Sequence, residues 1–306
     1  MEVSDPAVKT ATAYSPCNVT GFFQIHDKAS NPLRVGSIGA SVALAKGVST
    51  KLSLKIARSS RVFATFNSRR LPRGSVSARV ATRYLELDGR PWRVKVTHTS
   101  PFAVGNGYGT SGAGALSLSV ALNETMGLSL SSIEAAQIAH TSEIECNTGL
   151  GTVASVFIGG LTLRTEPGAP GVGRVSKIAV PSSLRLVTAS FGPIPTRSIL
   201  GRASLKRHVN VCGKGLIERF DRRSPQKSFM ILSRVFAECV GLMSQRLSRV
   251  IVGLDSMGFK SSMTMLGESV FCLAPKDVVP LVTTFLRRHG MNPHASRIAS
   301  SGAHLL

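Results

Sequence analysis

Residues 105–117, GNGYGTSGAGALS, are the part of this chain best equipped for chemistry. Gly105, Gly107, Gly109, Gly112 and Gly114 let the backbone turn tightly and come close to a ligand. Successive amide N–H groups, with a helix starting behind them, attract an anion such as a phosphate. Thr110 and Ser111 add hydroxyls that can meet a phosphate oxygen or a magnesium ion. The usual P-loop needs Gly-Lys-Ser/Thr, and no lysine stands in this loop. The plainer reading is a glycine-rich turn that serves packing alone.

His140 and Glu143 are spaced i, i+3, which puts both on one face of a helix, with the small Ala136 ahead of them on the same stripe. A carboxylate turned toward the glycine loop would join a serine hydroxyl around a divalent cation. Spacing alone equally describes a solvated helix face. Arg164 ends the apolar run LTLR and precedes Glu166-Pro167-Gly168, where a guanidinium could grip a carboxylate bidentately or simply lie on the surface. Met257, Met263 and Met265 read as core filling.

The elements that must position these residues follow from the patterning. Residues 76–88, VSARVATRYLELD, form an amphipathic helix ending at Asp88-Gly89. WRVKVTH at 92–98 alternates as a half-buried strand. A helix of small residues starts within the glycine loop and runs to about Leu122. A second starts at Ser131 or Ser132, where Ser131 and Glu134 fit a capping box, and stops near Gly149. A third runs from Gly151-Thr152 to Gly159-Gly160, followed by the strand LTLR. Residues 184–191 form a strand, GPIPTR at 192–197 a connector, and 227–247 and 277–288 helices. Between those helices, 250–273 reads as a glycine-bearing loop leading to an apolar helix. The texture is α+β in two domains, with residues 1–10 a flexible extension, 11–175 the first domain and 176–306 the second.

Composition narrows the classes. The chain has 306 residues, 43% of them hydrophobic, enough for sizeable cores. Five cysteines are scattered without metal-ligand spacing, so reduced thiols, no disulfide framework and a cytoplasmic location are expected. No membrane span and no signal peptide is read from the hydropathy. The net charge of +21 suits nucleic acid, but aromatics are only 6% and no basic–aromatic alternation is present, so nucleic acid is not expected as the main partner. Oligomeric state is left open, a homodimer included.

Taken together, these segments resemble the GHMP kinase superfamily and, within it, the archaeal pantoate kinases. The superfamily pattern of proline, spacer and Gly-x-Gly-Ser-Ser-Ala stands here as Pro101, a longer spacer, and Gly107-Tyr108-Gly109-Thr110-Ser111-Gly112-Ala113. SPCNVTGFFQIHD at 15–27, NPLRVGSIGAS at 31–41, the run from Ala139 to Gly171, GPIPTR, and MGFKSSMTMLGESVF at 257–271 are similar to pantoate kinase segments in the same order. The resemblance implies the GHMP kinase fold, with an α/β first domain and a ferredoxin-like second one. It implies phosphorylation of pantoate by ATP with Mg2+, on the way to coenzyme A. By the same resemblance Gly107, Gly109, Thr110, Ser111, Gly112 and Gly114 bind ATP, and Ser111 and Glu143 are catalytic and hold the metal. Arg164, His140, Ser37 and Thr196 fall where the family binds pantoate. One position departs from the pattern: where the family carries an aspartate base after Gly-Leu-Gly, this chain has Thr152, which cannot take a proton at neutral pH. A kinase working without that base, a relic that binds ATP without transfer, a kinase for another hydroxy acid such as mevalonate or homoserine, and a basic nucleic-acid-binding derivative all remain open at this level.

Overall fold

Two long strands, β1 (Lys9–His26) and β2 (Gly36–Ile56), pair antiparallel along nearly their whole length and form the spine of the fold. The computed structural model describes residues 8–194, 203–265 and 267–306. Residues 1–7 of the expected extension and Thr196 lie outside the described residues, and β1 begins at Lys9, inside that extension. The second half of β2 pairs with β5 (Trp92–Thr99), which runs parallel to β3 (Arg61–Phe66), and β3 pairs with β4 (Arg69–Arg70). The first half of β2 pairs instead with β6 (Leu161–Glu166), and β6 with β7 (Arg174–Ile178). The last strand, β12 (His304–Leu305), returns to β1 and completes this eight-stranded sheet. The expected domain border at 175/176 falls inside β7.

Four helices cover one face. Ser75 caps α1 (Val76–Asp88), and Gly89 ends it in the left-handed region at φ 72°. The glycine loop opens α2 (Thr110–Met126), one turn longer than expected. The capping box of Ser131 and Glu134 is present at the start of α3 (Ser132–Glu145), and α4 (Thr152–Ile158) follows. Leu52, Leu54, Val94 and Val96 from the strands meet Tyr84, Leu116, Leu118 and Leu122 from α1 and α2 in one buried cluster.

The second sheet is antiparallel, in the order β11 (His294–Arg297), β8 (Leu184–Pro193), β10 (Gly267–Pro275), β9 (Ser261–Met263). It packs with α5 (Ala203–Gly213), α6 (Pro225–Val240), α7 (Gln245–Ser256) and α8 (Val279–Arg288). Phe229, Phe236 and Phe271 share a core with Phe22, Phe23 and Val42 of the spine strands, so the two halves are joined through apolar packing.

Three expectations are corrected here. The single helix over 227–247 is two, because Gly241 adopts φ 69° and caps α6. Residues 261–263 and 267–275 are strands rather than a loop and an apolar helix: β10 is buried on both faces, and a strand of that kind loses the alternation that distinguishes it from a helix. Cys212 and Cys239 form a disulfide, with Cα atoms 5.6 Å apart. Their separation of 27 residues carried no pattern; α5 lying beside α6 brings them together.

Candidate active site

The start of α2 is built to leave amides free. Gly109 precedes it at φ 62°, and no side chain caps the first turn. A side chain at Gly109 would also strike Asn18, whose Oδ1 lies 2.1 Å from where the Cβ would stand. The loop ahead is fixed from both halves of the molecule. The amide of Asn18 on β1 donates to the Tyr108 carbonyl at 3.1 Å. From the second sheet, the Ser269 hydroxyl donates to the Asn106 carbonyl at 2.9 Å, and the Ile194 amide to the Gly105 carbonyl at 3.1 Å.

Glu143 on α3 reaches this turn and is only 2% exposed. Its carboxylate accepts from the Ser111 hydroxyl, and from Thr148 Oγ1 at 3.4 Å. Gly112 makes the approach available: a Cβ there would lie 2.6 Å from Glu143 Oε2 and 2.6 Å from the Thr152 methyl. Burial pushes the Glu143 carboxyl up to about 7, against the pull of the two hydroxyls. No Lys, Arg or His pairs with it among the described residues.

Arg164 on β6 is also 2% exposed. Its Nη1 donates to Ser41 Oγ at 2.7 Å and Ser155 Oγ at 2.6 Å, and its Nε to the Ser37 carbonyl at 3.3 Å. No carboxylate pairs with it among the described residues, and desolvation draws its pKa down to about 10. A buried guanidinium held only by neutral oxygens still has charge to offer an anion.

The glycine turn and Arg164 share one cleft of about 330 Å3, and Glu143 lies behind its wall, against Gly112 and Gly149, rather than on its lining. The cleft is lined by Gly107, Gly109, Thr110 and Ser111 on one side and by Ser37 and Arg164 on another, with 148–152 between and Met265 from the second half. Of the expected site residues, Gly112 touches Glu143 from behind, and Gly114 faces inward, with the His98 ring 3.6 Å from a Cβ built there. His140 does not line the cleft: its Nε2 is 2.9 Å from the Val35 carbonyl, which ties α3 to the segment entering β2. Asn18, Thr20 and Thr148 also line the cleft, and none was singled out from sequence; Asn18 Nδ2 is buried there with no partner among the described residues. The only sequence signal was that Asn18 and Thr20 sit in the ordered block 15–27.

Beneath α2, the imidazole of His98 on β5 lies between Thr50 Oγ1 at 2.7 Å and Ser77 Oγ at 2.9 Å, and Thr50 Oγ1 continues to Ser117 Oγ on α2 at 2.5 Å. This run of hydrogen bonds joins the sheet, α1 and α2. Desolvation holds the ring down to about 4. The folded-state pKa is thus below the unfolded value near 6.5. This neutral ring's stabilisation is complete above about pH 6.5 and is lost as pH falls toward 4. His98→Gln should therefore show a flatter melting temperature than the parent between pH 6.5 and 4, read by thermal denaturation at half-unit steps.

Residues 76–160 match the family model described as GHMP kinases N terminal domain. The chain is 30% identical over 275 residues to the pantoate kinase of Methanocaldococcus jannaschii, covering 90% of this chain and 96% of that one. It is 31% identical over 267 residues to the pantoate kinase of Thermococcus kodakarensis, covering 85% and 86%. A solved structure described as a phosphotransferase related to CoA biosynthesis pathway superposes at TM-score 0.87 with 26% identity, covering 97% of this chain and 98% of that one.

Proposed function

This chain belongs to the pantoate kinase family of the GHMP kinases; it phosphorylates pantoate with ATP, and we propose that transfer takes place in the cleft between the 107–111 turn and Arg164. The observation that carries this reading is that one cavity holds two separate sites for anions. Free amides at a helix start invite a phosphate. A buried, unpaired guanidinium invites a carboxylate. A substrate carrying a carboxylate at one end and a hydroxyl to be phosphorylated at the other answers both.

The donor set fits Mg2+. The ion prefers oxygen ligands and keeps waters or substrate phosphates in its shell, so two protein oxygens suffice. Ser111 and Glu143 would hold it, and the buried carboxylate without a cationic partner is the feature that calls for a cation. When bound, Mg2+ neutralises phosphate charge. The remaining work belongs to the chain. The 107–111 amides hold the triphosphate, Arg164 anchors the carboxylate of pantoate, and Ser37 borders the same end. Asn18 Nδ2 offers a further donor into the cleft. The hydroxyl oxygen of pantoate attacks the γ-phosphorus, the bond to the ADP oxygen breaks, and the hydroxyl proton leaves to solvent or to a phosphate oxygen. Thr152 takes no part in that proton transfer, so rate rests on positioning and charge neutralisation.

The test is ADP release with ATP, Mg2+ and a panel of pantoate, mevalonate and homoserine. Turnover is expected with pantoate and Mg2+ together. ADP formed equally fast without an acceptor would sink the reading. Thr152→Asp is expected to leave kcat within about threefold, because a carboxylate there would stand beside Glu143 and compete for the same charge. A gain of about a hundredfold, the scale of a general base, would instead mark Thr152 as a lesion.

A further inference from the structure

The positive charge of this chain is not spread evenly over the fold. No Asp or Glu occurs between Asp27 and Glu86, nor within β5, so the sheet formed by β2, β5, β3 and β4 contains none. Helices α1 and α2 cover its apolar face. Cross-strand register then decides what the other face displays. Lys55 on β2 is opposite Arg93 on β5, and Arg93 opposite Arg61 on β3. Two residues along from Arg93, on the same face, Lys95 is opposite Phe63. Two residues beyond Lys95, Thr97 separates Lys51 from Thr65, and Thr65 is opposite Arg70. Residues directly opposite one another share a face, so these cations gather on one surface.

Lys51, Arg61, Arg70, Arg93 and Lys95 are exposed and take part in no ion pair among the described residues. Phe63 stands among them 41% exposed, with the Arg70 guanidinium 5.0 Å over its ring. At this edge Arg61, Phe63, Arg70, Arg73, Arg93 and Lys95 border a concavity of about 920 Å3. It shares no residue with the catalytic cleft.

We propose that this sheet face binds a single-stranded polynucleotide, with phosphates on the cations and a base stacked at Phe63. An open sheet with a basic surface and an exposed ring is a surface on which unpaired bases can splay. Charge complementarity commits the occupant to a polyanion. The concavity and the single ring under the Arg70 guanidinium favour an unstacked nucleotide over a flat anionic membrane. This surface is a property of pairing register, which explains why no basic–aromatic alternation is visible along the chain.

The test uses the full-length protein and fluorescently labelled 20-residue oligo-uridine and oligo-deoxythymidine, read by anisotropy at several salt concentrations. With about five phosphates neutralised, log affinity should fall with log salt at a slope of about −3.5. Arg61→Ala/Arg93→Ala/Lys95→Ala should weaken binding at least tenfold and flatten that slope. Phe63→Ala should weaken it about fivefold or more with the slope unchanged. Neither should change pantoate phosphorylation. An equal loss from Arg219→Ala/Arg222→Ala/Arg223→Ala, which removes the same charge elsewhere, would overturn the proposal as mere net charge. Displacement of the oligonucleotide by saturating Mg2+-ATP would overturn it by assigning the binding to the cleft. Tighter binding to phosphatidylserine vesicles than to either oligonucleotide would overturn it in favour of a membrane.

Discussion

Glu143→Gln should lower kcat by about a thousandfold or more while leaving the fold intact, because it removes the buried carboxylate proposed above to anchor a cation beside the 107–111 turn. Glutamine keeps the volume and can still accept from Thr148, so a loss of this size reports charge and not packing. The same substitution should act on stability in the opposite direction. The folded-state pKa of about 7 lies above that of a free glutamate at 4.5. The unfolded chain therefore holds fewer protons between those two values, and the parent loses stability as pH rises through that window. Above about pH 7 the neutral glutamine avoids the cost, on the order of 3 kcal/mol. Ligand-free Glu143→Gln should melt higher than the parent at pH 8 and close to it at pH 4.5. A variant that keeps parental kcat, checked by coupled ADP release, would remove Glu143 from the site.

Arg164→Met should raise the KM for pantoate by about a hundredfold or more, the usual scale for losing one partner of a buried charged pair. The KM for ATP should stay near the parental value, since the guanidinium belongs to the Ser37 end of the cleft rather than to the 107–111 turn. Arg164→Lys should not restore binding. A lysine ammonium cannot donate to Ser41, Ser155 and a bidentate carboxylate at once. The decisive control is the acceptor whose carboxylate is replaced by a carboxamide. The parent should discriminate strongly against it, and Arg164→Met should not. If both enzymes discriminate equally, the carboxylate is held elsewhere.

The local elements of the first half follow from short-range chemistry. Ser75 and Gly89 bound α1, Ser131 and Glu134 start α3, and the alternation of Trp92, Val94 and Val96 marks β5, because caps and periodicity act within one or two turns of chain. The free amides at the head of α2 follow likewise from Gly109 and the missing cap. What the chain by itself determined is thus the glycine turn with its free amides, and the chemical types of Ser111, Glu143 and Arg164. Which of these share a cavity is a tertiary decision. Glu143 could as well have faced solvent until the α2–α3 contact at Gly112 buried it. His140, one turn away on the same helix, is committed to the Val35 carbonyl instead. Asn18, the Cys212–Cys239 pairing and the alignment of Arg61 and Phe63 with Arg93 and Lys95 likewise arise from strands and helices brought together across 27 or more residues, where no local periodicity can act. Short-range propensity writes the elements; burial and register choose which side chains meet.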